Sequence, residues 1–274
     1  MTILNEIAEK TRKRVGECKQ KKTLEQVKAE ALSMNADTGY PFEKAMKKEG
    51  LSFICEVKKA SPSKGLIAAD FPYVEIAKDY EMGGASAISV LTEPYYFKGS
   101  DQYLEEIRQA VSLPIIRKDF VVDEYMIYEA KVMGADAVLL ICAILSEEEL
   151  SQFFRLADSL GLTALVEAHD QAEVESALRI GARLIGVNNR DLHSFTVDIN
   201  NSIRYRKLVP EDVLFVSESG IRTAEDIARL VENQVDGVLI GETMMVASDR
   251  VQAVKEFISY SNIETNKRER IRES

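Results

Sequence analysis

Short apolar runs alternate with amphipathic stretches along most of this chain. From about residue 50 onward, eight runs rich in apolar and β-branched residues are separated by stretches whose apolar side chains recur at the spacing of one helical face. Most of the runs are apolar throughout, which is typical of strands covered on both faces of a parallel sheet. The predicted strands are Phe53–Val57, Ser86–Leu91, Pro114–Lys118, Ala137–Ile141, Thr163–Glu167, Leu184–Val187, Leu214–Ser217 and Gly237–Ile240.

The amphipathic stretches begin and end with helix signals. Ser146 and Glu149 have the spacing of a capping box, in which each side chain bonds the other residue's backbone N–H, and Asp170 and Glu173 repeat that spacing. Glycines at expected helix C-caps stand just before three of the predicted strands, namely Gly84, Gly134 and Gly181. The chain therefore repeats a strand–helix unit.

Eight such units, with no break in composition, predict an α/β fold. We expect a closed (β/α)8 TIM barrel over about residues 51–260, within one domain that spans the chain. An open, doubly wound sheet is the alternative. The polar residues distinguish the two, because the chemistry of a barrel gathers at the C-terminal ends of its strands.

Residues 1–50 lie outside the repeat and predict a helical extension. Apolar residues at helical spacing define one helix face with Ile3, Leu4, Ile7, Ala8, Thr11 and Val15, and a second with Leu24, Val27, Lys28 and Ala31. The extension could close the bottom of the barrel, join a partner or cover the mouth, and periodicity does not choose. Residues 261–274 are polar and highly charged, which predicts a frayed tail.

The charge balance narrows the range of partners. The chain has 35 Lys and Arg against 45 Asp and Glu, a formal charge of −10. Nucleic acids and anionic membranes are bound by dense positive charge, so neither is an expected partner. No apolar run approaches the ~18 residues of a spanning helix, and the N-terminus lacks a basic region leading into an apolar stretch. We therefore expect a cytoplasmic protein, as a monomer or weak homodimer.

Cysteine and histidine offer little chemistry. Cys18, Cys55 and Cys142 are far apart and lack Cys-x-x-Cys spacing, so we interpret them as buried or incidental thiols in a reducing compartment. No His or carboxylate cluster has the spacing of a metal site, so no metal is expected. His169, beside a predicted helix N-cap, and His193, in a predicted loop, are weak catalytic candidates.

Charged and amide side chains stand where five of the predicted strands end. Alternation along the first strand places Glu56 and Lys58 on one face, so an acid and a base leave an apolar run together. The other four strands end in Arg117-Lys118-Asp119, Glu167, Asn188-Asn189-Arg190-Asp191 and Ser217-Glu218-Ser219. Isolated structural ion pairs would not coincide at one end of five strands. Lysines and glutamates in a barrel mouth tune each other's pKa values, as general acid–base chemistry requires.

Two loops carry a separate signal for phosphate. Barrels commonly bind phosphate at the loops after the seventh and eighth strands, and here those loops contain Ser219-Gly220 and Gly241-Glu242. Glycine lets backbone N–H groups approach an anion closely. Because a carboxylate repels phosphate, we expect the side chain of Glu242 to point away and only its amide to face the ligand.

Apolar side chains in the same set of loops favour a ligand that also carries an aromatic ring. They fall within or just beyond the strand C-termini, where a purely polar substrate would have no use for them. These residues are Pro62, Phe97, Phe120 and Leu192.

These residues lie in segments that resemble the indole-3-glycerol phosphate synthase family. The segments are 56–65, 91–100, 116–120, 165–167, 185–192, 217–220 and 240–242, and the first, third and sixth are highly specific in combination. The resemblance covers nearly the whole chain. It implies conversion of 1-(2-carboxyphenylamino)-1-deoxy-D-ribulose 5-phosphate to indole-3-glycerol phosphate in tryptophan biosynthesis, with release of CO₂ and water and without a cofactor.

The resemblance also implies roles for individual residues. Lys118 corresponds to the general acid, Glu167 to the partner acid or base of the dehydration, and Lys58 to a position near the substrate carboxylate or the departing hydroxyl. Glu56 and Asn188 would orient these groups. The implied substrate-binding residues are Arg190 and Ser219 in the polar wall and Ser61, Gly220, Gly241 and Glu242 at the phosphate.

One implied phosphate cation is missing. Some relatives have Lys where this chain has Ala60, and Lys59 or Lys64 is the expected substitute.

Two other functions remain as alternatives. Phosphoribosylanthranilate isomerase is a similar phosphosugar barrel that uses a Cys and an Asp, and Cys55 is the only candidate at a strand end. Alternation sends Cys55 to the face opposite Glu56, which counts against it. A non-catalytic phosphosugar-binding barrel is the other alternative, and the intact Lys58, Lys118 and Glu167 argue against it.

Overall fold

Eight parallel strands close into a barrel in which each strand pairs with its neighbours in the sequence and the last pairs with the first. The computed structural model describes residues 2–191 and 194–273, with side chains up to Arg268. The strands are β1 Ser52–Val57, β2 Ala87–Leu91, β3 Ile115–Lys118, β4 Ala137–Ile141, β5 Thr163–Ala168, β6 Leu184–Asn188, β7 Leu214–Glu218 and β8 Gly237–Ile240. This confirms the predicted barrel and excludes the open sheet.

Helices connect the strands and cover the outside of the barrel. They are α1 Ile3–Lys21, α2 Leu24–Ser33, α3 Pro41–Met46, α4 Tyr73–Gly83, α5 Asp101–Ala110, α6 Glu124–Val132, α7 Glu147–Ser159, α8 Gln171–Arg179, α9 Asn200–Arg206, α10 Ala224–Glu232, α11 Glu242–Met245 and α12 Arg250–Glu273. A 3₁₀ turn at Cys142–Ile144 follows β4, and a two-residue hairpin pairs Ala60–Ser61 with Gly65–Leu66 after β1.

The predicted helix signals form as expected, with one exception. Ser146 and Glu149 make a reciprocal capping box at α7, and Gly84, Gly134 and Gly181 have the positive φ angles of C-cap glycines. At α8, Asp170 caps the backbone N–H of Glu173, but the Glu173 carboxylate accepts a hydrogen bond from the backbone of His169. The expected second capping box is therefore only half formed.

Side-chain alternation divides the core into two parts. Inward-facing residues such as Ile54, Leu165 and Val216 pack inside the barrel, while outward-facing residues such as Val90 and Val138 pack against the helices. Cys55 is fully buried on the outer side, as alternation predicts. Polar side chains at the strand C-termini thus share the barrel interior with an apolar layer beneath them.

The N-terminal extension covers both ends of the barrel. Leu4 and Ile7 of α1 join the interior cluster at the mouth. At the opposite end, α3, which the sequence pattern did not predict, packs Phe42 and Met46 against the interior. Of the placements left open by the sequence, α1 covers the mouth of the barrel and α3 closes its bottom.

Hydrogen bonds from basic side chains hold α1 across the mouth. Arg14 donates to Asp119 at 2.8 Å and Lys19 to Asp123 at 2.7 Å, both in the loop after β3. Lys10 donates to the Tyr96 hydroxyl, in the loop after β2, at 2.6 Å. The helix is thereby attached to two of the loops that build the mouth.

The prediction of a frayed C-terminal tail is wrong. The backbone of residues 261–273 continues α12, and Ser261 is buried. Lys267 reaches Glu264 one turn away, and Arg268 donates to the carbonyl of Val231 in α10. Such local charge pairs support helix in a segment whose composition alone resembles a disordered tail.

Within the described residues, no helix is both long and apolar enough to cross a membrane.

Arg117 joins β3 to the helix layer through a buried ionic network. Its side chain is only 2% exposed, and its guanidinium lies 2.9 Å from Asp101 of α5 and 2.7 Å from Glu129 of α6. It also donates to the carbonyl of Met126 and to the hydroxyl of Thr92. Because Arg117 faces outward, it supports the strand that carries Lys118 on its other face.

We expect Arg117→Met to lower the free energy of unfolding by about 3–5 kcal/mol, because it leaves the largely buried Glu129 and the half-exposed Asp101 without their counter-charge. Urea titration followed by far-UV circular dichroism measures the change. Arg155→Met on the exposed face of α7 is the matched control and should lie within about 0.5 kcal/mol of the wild type. A stable Arg117→Met protein would show that the network does not hold β3 in place.

Candidate active site

A single pocket at the C-terminal mouth of the barrel brings the predicted site residues together. Its wall includes the catalytic and substrate-binding residues expected from the sequence, except Leu192, which lies outside the described residues. The candidates in the wall are Glu56, Lys58, Ser61, Pro62, Phe97, Lys118, Phe120, Glu167, Asn188, Arg190, Ser219, Gly220, Gly241 and Glu242.

The base of the pocket is a charged floor made of Glu56, Lys58, Lys118, Glu167 and Glu218, and Lys118 lies at its centre. Its Nζ is 2.6 Å from Oε2 of Glu218 on β7 and 3.4 Å from Oε2 of Glu167 on β5. These side chains are at most 11% exposed, and they project inward from alternate strands of the barrel. One ammonium group is therefore shared by two buried carboxylates.

Glu218 is a member of this cluster that the sequence analysis did not select. Gly186 of β6 makes room for it, because a Cβ at that position would lie 2.2 Å from the Glu218 carboxylate. The signal was present in the sequence: Leu214, Val216 and Glu218 alternate along one face, which points Glu218 inward like Glu56.

The two carboxylates beside Lys118 have opposite pKa shifts. Burial raises the pKa of Glu218 to about 7, because Lys118 offsets only part of the burial effect and the charge on Glu167 adds to it. Burial also disfavours charge on Glu167, but Lys118 and His169 outweigh it and hold its pKa well below the usual range. The pocket thus places one carboxyl group that titrates near neutral pH beside one that stays ionised.

Lys118 is the cation that both carboxylates share. Although burial disfavours its charge, Glu218, Glu167 and Glu56 raise the pKa of Lys118 above its usual value. The ammonium therefore enters any reaction in its protonated form.

A second acid–base pair stands on β1. Lys58 Nζ lies 2.5 Å from Oε1 of Glu56, as the alternation of this strand predicts. Gly241 after β8 is required beside this pair, because a Cβ there would lie 2.5 Å from Glu56 and 2.7 Å from Lys58. Gly241 thus contributes space for the pair as well as backbone to the loop after β8.

The apolar side of the pocket is built by the loops after β2 and β3. The rings of Phe97 and Phe120 lie with centroids 6.0 Å apart, and Ile3 and Leu4 of α1 line the same region. The loop after β2 is held by the buried Glu93, whose carboxylate accepts hydrogen bonds from the backbone N–H groups of residues 95–97. This wall fits a planar aromatic group.

The loops after β7 and β8 form the opposite, polar side. Ser219 and Gly220 both have positive φ, and the buried Asn189 donates to the carbonyl of Ser219. Asn189 also bonds Ser202 of α9 and Ser217 of β7, so all its hydrogen-bonding capacity is used in joining this turn to those two elements. The turn is strained for Ser219 and is held by a fully satisfied buried amide.

Glu242 is neutralised from outside the pocket. Lys64 lies 3.0 Å from its carboxylate, and although burial raises the pKa of Glu242, Lys64 and the nearby Arg222 and Arg190 lower it below the usual value. Of the two expected substitute cations, Lys64 faces this side, while Lys59 lies over the ring of Phe71. Arg222 also lines the pocket, and the sequence analysis did not select it.

Asn188 ends β6 and Arg190 follows it, on the wall between the two sides. The Asn188 side chain accepts a hydrogen bond from the backbone of Arg190, and the Arg190 guanidinium donates to the carbonyl of Phe195. Burial lowers the pKa of Arg190, which remains a strong cation. The same loop adds Phe195 to the pocket wall.

His169 lies behind the charged floor, although its place beside a helix start made it a weak candidate. Its Nε2 is 3.3 Å from Glu167 and its Nδ1 3.1 Å from Glu173. Glu167 and His169 stand two residues apart at the end of β5, so alternation could have paired them, as it paired Glu56 with Lys58. His193 lies outside the described residues.

The fold and the pocket together define a (β/α)8-barrel enzyme with acid–base groups at the strand C-termini. A family model described as indole-3-glycerol phosphate synthase matches residues 4–257. The protein named indole-3-glycerol phosphate synthase of Ruminiclostridium cellulolyticum is 56% identical, and the match covers 90% of this chain and 95% of that protein. The protein of the same name from Endomicrobium trichonymphae is 52% identical, with 93% of this chain and 98% of that protein covered. The chain belongs to the indole-3-glycerol phosphate synthase family.

Solved structures of low sequence identity share the architecture. The 3-hexulose-6-phosphate synthase of Salmonella typhimurium superposes with a TM-score of 0.65 at 13% identity, covering 78% of this chain and all of that one. Thiamine phosphate pyrophosphorylase of Pyrococcus furiosus gives 0.61 at 16% identity, covering 81% of this chain and 98% of that one. These likenesses support the barrel fold and carry no argument about the reaction.

We expect Glu218→Gln to change how stability depends on pH. The folded protein binds the Glu218 proton more tightly than the unfolded chain, so its stabilising contribution is present below pH 4.5 and is lost as pH rises through about 7. The amide removes this loss. The free energy of unfolding of Glu218→Gln relative to wild type should therefore increase by roughly 1–3 kcal/mol between about pH 5 and about pH 8.

Urea unfolding of both proteins at the two pH values measures this change in relative stability. Effects of the substitution that do not depend on pH cancel when the two pH values are compared. Glu148→Gln, at an exposed position of α7, is the control and should leave the difference unchanged. An equal response in both variants would mean that Glu218 does not titrate near neutral pH.

Proposed function

We propose that this chain converts 1-(2-carboxyphenylamino)-1-deoxy-D-ribulose 5-phosphate to indole-3-glycerol phosphate with release of CO₂ and water. The observation that carries the proposal is the placement of Lys118 between Glu218 and Glu167, on a floor with aromatic rings on one side and glycine loops on the other. The substrate has the same three parts in the same order: an aromatic ring with a carboxylate, a reactive ketose, and a phosphate.

The binding residues divide according to these parts. We assign the anthranilate ring to Phe97, Phe120 and Pro62, with Leu192 as a further contact predicted from the apolar residues of the loop sequences. We assign the phosphate to Ser61, Gly220, Gly241 and the backbone of Glu242, with Arg190 and Ser219 in the adjoining polar wall. Lys64 supports this by pairing with the Glu242 carboxylate, which would otherwise repel the phosphate.

Ring closure requires an acid at the ketose carbonyl oxygen. We assign this role to Lys118, whose ammonium is protonated and lies between the carboxylates of Glu218 and Glu167. As the aromatic carbon adds to the carbonyl carbon, the oxygen becomes an alkoxide, which is far more basic than the carbonyl and accepts the proton from Lys118.

The later steps require loss of CO₂, loss of a hydroxyl group and removal of a proton. We assign Glu167 as the partner acid or base of the dehydration, and Lys58 as the cation at the substrate carboxylate or at the departing hydroxyl. Glu56 holds Lys58 at 2.5 Å, and we assign Asn188, in the pocket wall, to orienting these groups together with Glu56. Two lysines and three carboxylates provide donors and acceptors for each of these transfers.

The alternative functions lose their support. The Cys55 thiol of the isomerase hypothesis lies on the outer face of β1, and burial raises its pKa to about 12, so it is neither placed nor ionised for reaction. A barrel that only binds phosphosugars would not require two lysine–carboxylate clusters held within hydrogen-bond distance. The absence of a cofactor, a cytoplasmic location and a monomeric or weakly dimeric state stay predictions from the sequence.

Supplying the carboxyphenylamino ribulose phosphate to the purified protein should produce indole fluorescence that increases with time. The chain contains no Trp, so the protein itself does not mask the indole signal. The absence of product from folded protein would contradict the proposed function.

We expect Lys118→Ala to lower kcat by at least about a thousandfold, while substrate binding measured by equilibrium titration changes by less than about tenfold. The reason is that the general acid acts in the transition state, whereas phosphate and ring contacts remain. Lys78→Ala on the exposed surface of α4 is the matched control and should behave like the wild type. A Lys118→Ala enzyme with near-normal kcat would show that Lys118 is not the acid.

A further inference from the structure

His169 is a buried titratable group for which the proposed chemistry assigns no role. It follows the last residue of β5, and its side chain is 15% exposed. Its Nε2 is buried and lies 3.3 Å from Oε1 of Glu167, without an aligned hydrogen-bond acceptor among the described residues. The imidazolium of His169 therefore stabilises the Glu167 carboxylate mainly by Coulombic attraction at this distance.

The other ring nitrogen of His169 is held from the helix layer. Nδ1 lies 3.1 Å from Oε2 of Glu173, in the first turn of α8, and the same oxygen accepts a hydrogen bond of 2.8 Å from the backbone N–H of His169. Asp170 caps the backbone of Glu173 at 2.9 Å, so the carboxylate is itself fixed. This arrangement explains why Glu173 does not complete the capping box.

The surroundings of His169 favour its cationic form. The titratable groups in contact with it are Glu167 of β5 and Glu173 of α8, and the thiol of Cys142 in the 3₁₀ turn donates to the carbonyl of Glu173 behind them. Burial alone favours neutral imidazole, yet the two carboxylates raise the pKa of His169 to about 10. A neutral histidine would leave Glu173 without a counter-charge on this side.

Glu167 needs a second cation. The short contact of Lys118, at 2.6 Å, goes to Glu218, and Glu167 receives only the longer one of 3.4 Å. Within the cluster of ion pairs at the base of the pocket, Glu56, Glu167 and Glu218 face only Lys58 and Lys118, which leaves one negative charge in excess when all five are ionised. Burying an unbalanced charge is strongly unfavourable.

We propose that His169 is a positioning residue of the acid–base site: its imidazolium, fixed by Glu173, is the second counter-charge of Glu167 and keeps that carboxylate ionised and oriented toward the substrate. This inference rests on the proposed function for its catalytic meaning and deepens it by adding a third cation behind the floor. His169 acts through Glu167 and does not itself line the pocket.

Ring-nitrogen NMR of ¹⁵N-histidine-labelled protein tests the charge state directly. The chain has only two histidines, so His193→Gln assigns the spectrum by removing one signal. We expect both ring nitrogens of His169 to stay protonated from about pH 6 to about pH 9. A neutral tautomer at pH 7 would overturn the proposal. This measurement needs no turnover, so its result does not depend on whether the proposed reaction is correct.

The kinetic test uses His169→Gln and Glu173→Gln, with Glu175→Gln at an exposed position of the same helix as the matched control. We expect the ratio of His169→Gln to wild-type kcat to fall at least about tenfold between about pH 8 and about pH 5, because Glu167 becomes easier to protonate. KM should change less than about threefold. Glu173→Gln should act in the same direction more weakly, and the control should not change the ratio.

A purely structural role would lower the amount of active enzyme equally at every pH, so a constant ratio would overturn the proposal. If His169→Gln does not fold, the kcat ratio of Glu173→Gln decides by the same criterion. An inactive wild-type enzyme would contradict the proposed function, while the NMR result would still decide the charge of His169.

Discussion

The burial of charge inside a closed barrel is the constraint on which the mouth of this protein depends. Glu56, Glu167 and Glu218 lie above an apolar interior, where an unpaired carboxylate is strongly disfavoured. Each therefore lies beside a cation, and Lys118 serves two of them at once. Sharing one ammonium between two carboxylates pushes their pKa values apart, so the requirement that makes the floor stable also supplies one group that titrates near pH 7 and one that stays ionised.

The rest of the scaffold serves that floor by making space for it and holding it still. Gly186 and Gly241 leave room for the carboxylates and Lys58, because a Cβ at either position would overlap them. On the outer face of β3, Arg117 joins the strand to α5 and α6 and so supports Lys118 from behind. On β5, His169 and Glu173 have the corresponding relation to Glu167. The floor is thus backed on both strands by ion pairs that reach into the helix layer.

Much of the fold and site follows from alternation and periodicity. All eight strands lie within about a residue of their predicted bounds, and Glu56 and Lys58 pair as a two-residue spacing requires. The failures are equally specific. The short helix α3 has too few residues to show a period, and the end of α12 has the composition of a tail although its charges pair along a helix. Glu218 and His169 were available to the same alternation argument, but each stood beside a stronger signal, a glycine loop and a helix cap.

What the linear pattern establishes is therefore the set of inward and outward positions, since the side chains of a strand must alternate whatever surrounds them. It predicts that charged groups gather at one end of the barrel and that glycines stand beside them. Which groups become partners depends on closure of the barrel, because Lys118 meets Glu218 across 100 residues and Glu167 across 49. Distances across the interior are set by the curvature of the sheet, which no local segment encodes. The pKa values, the place of α1 over the mouth and the contact of His169 with Glu167 all arise from that closure.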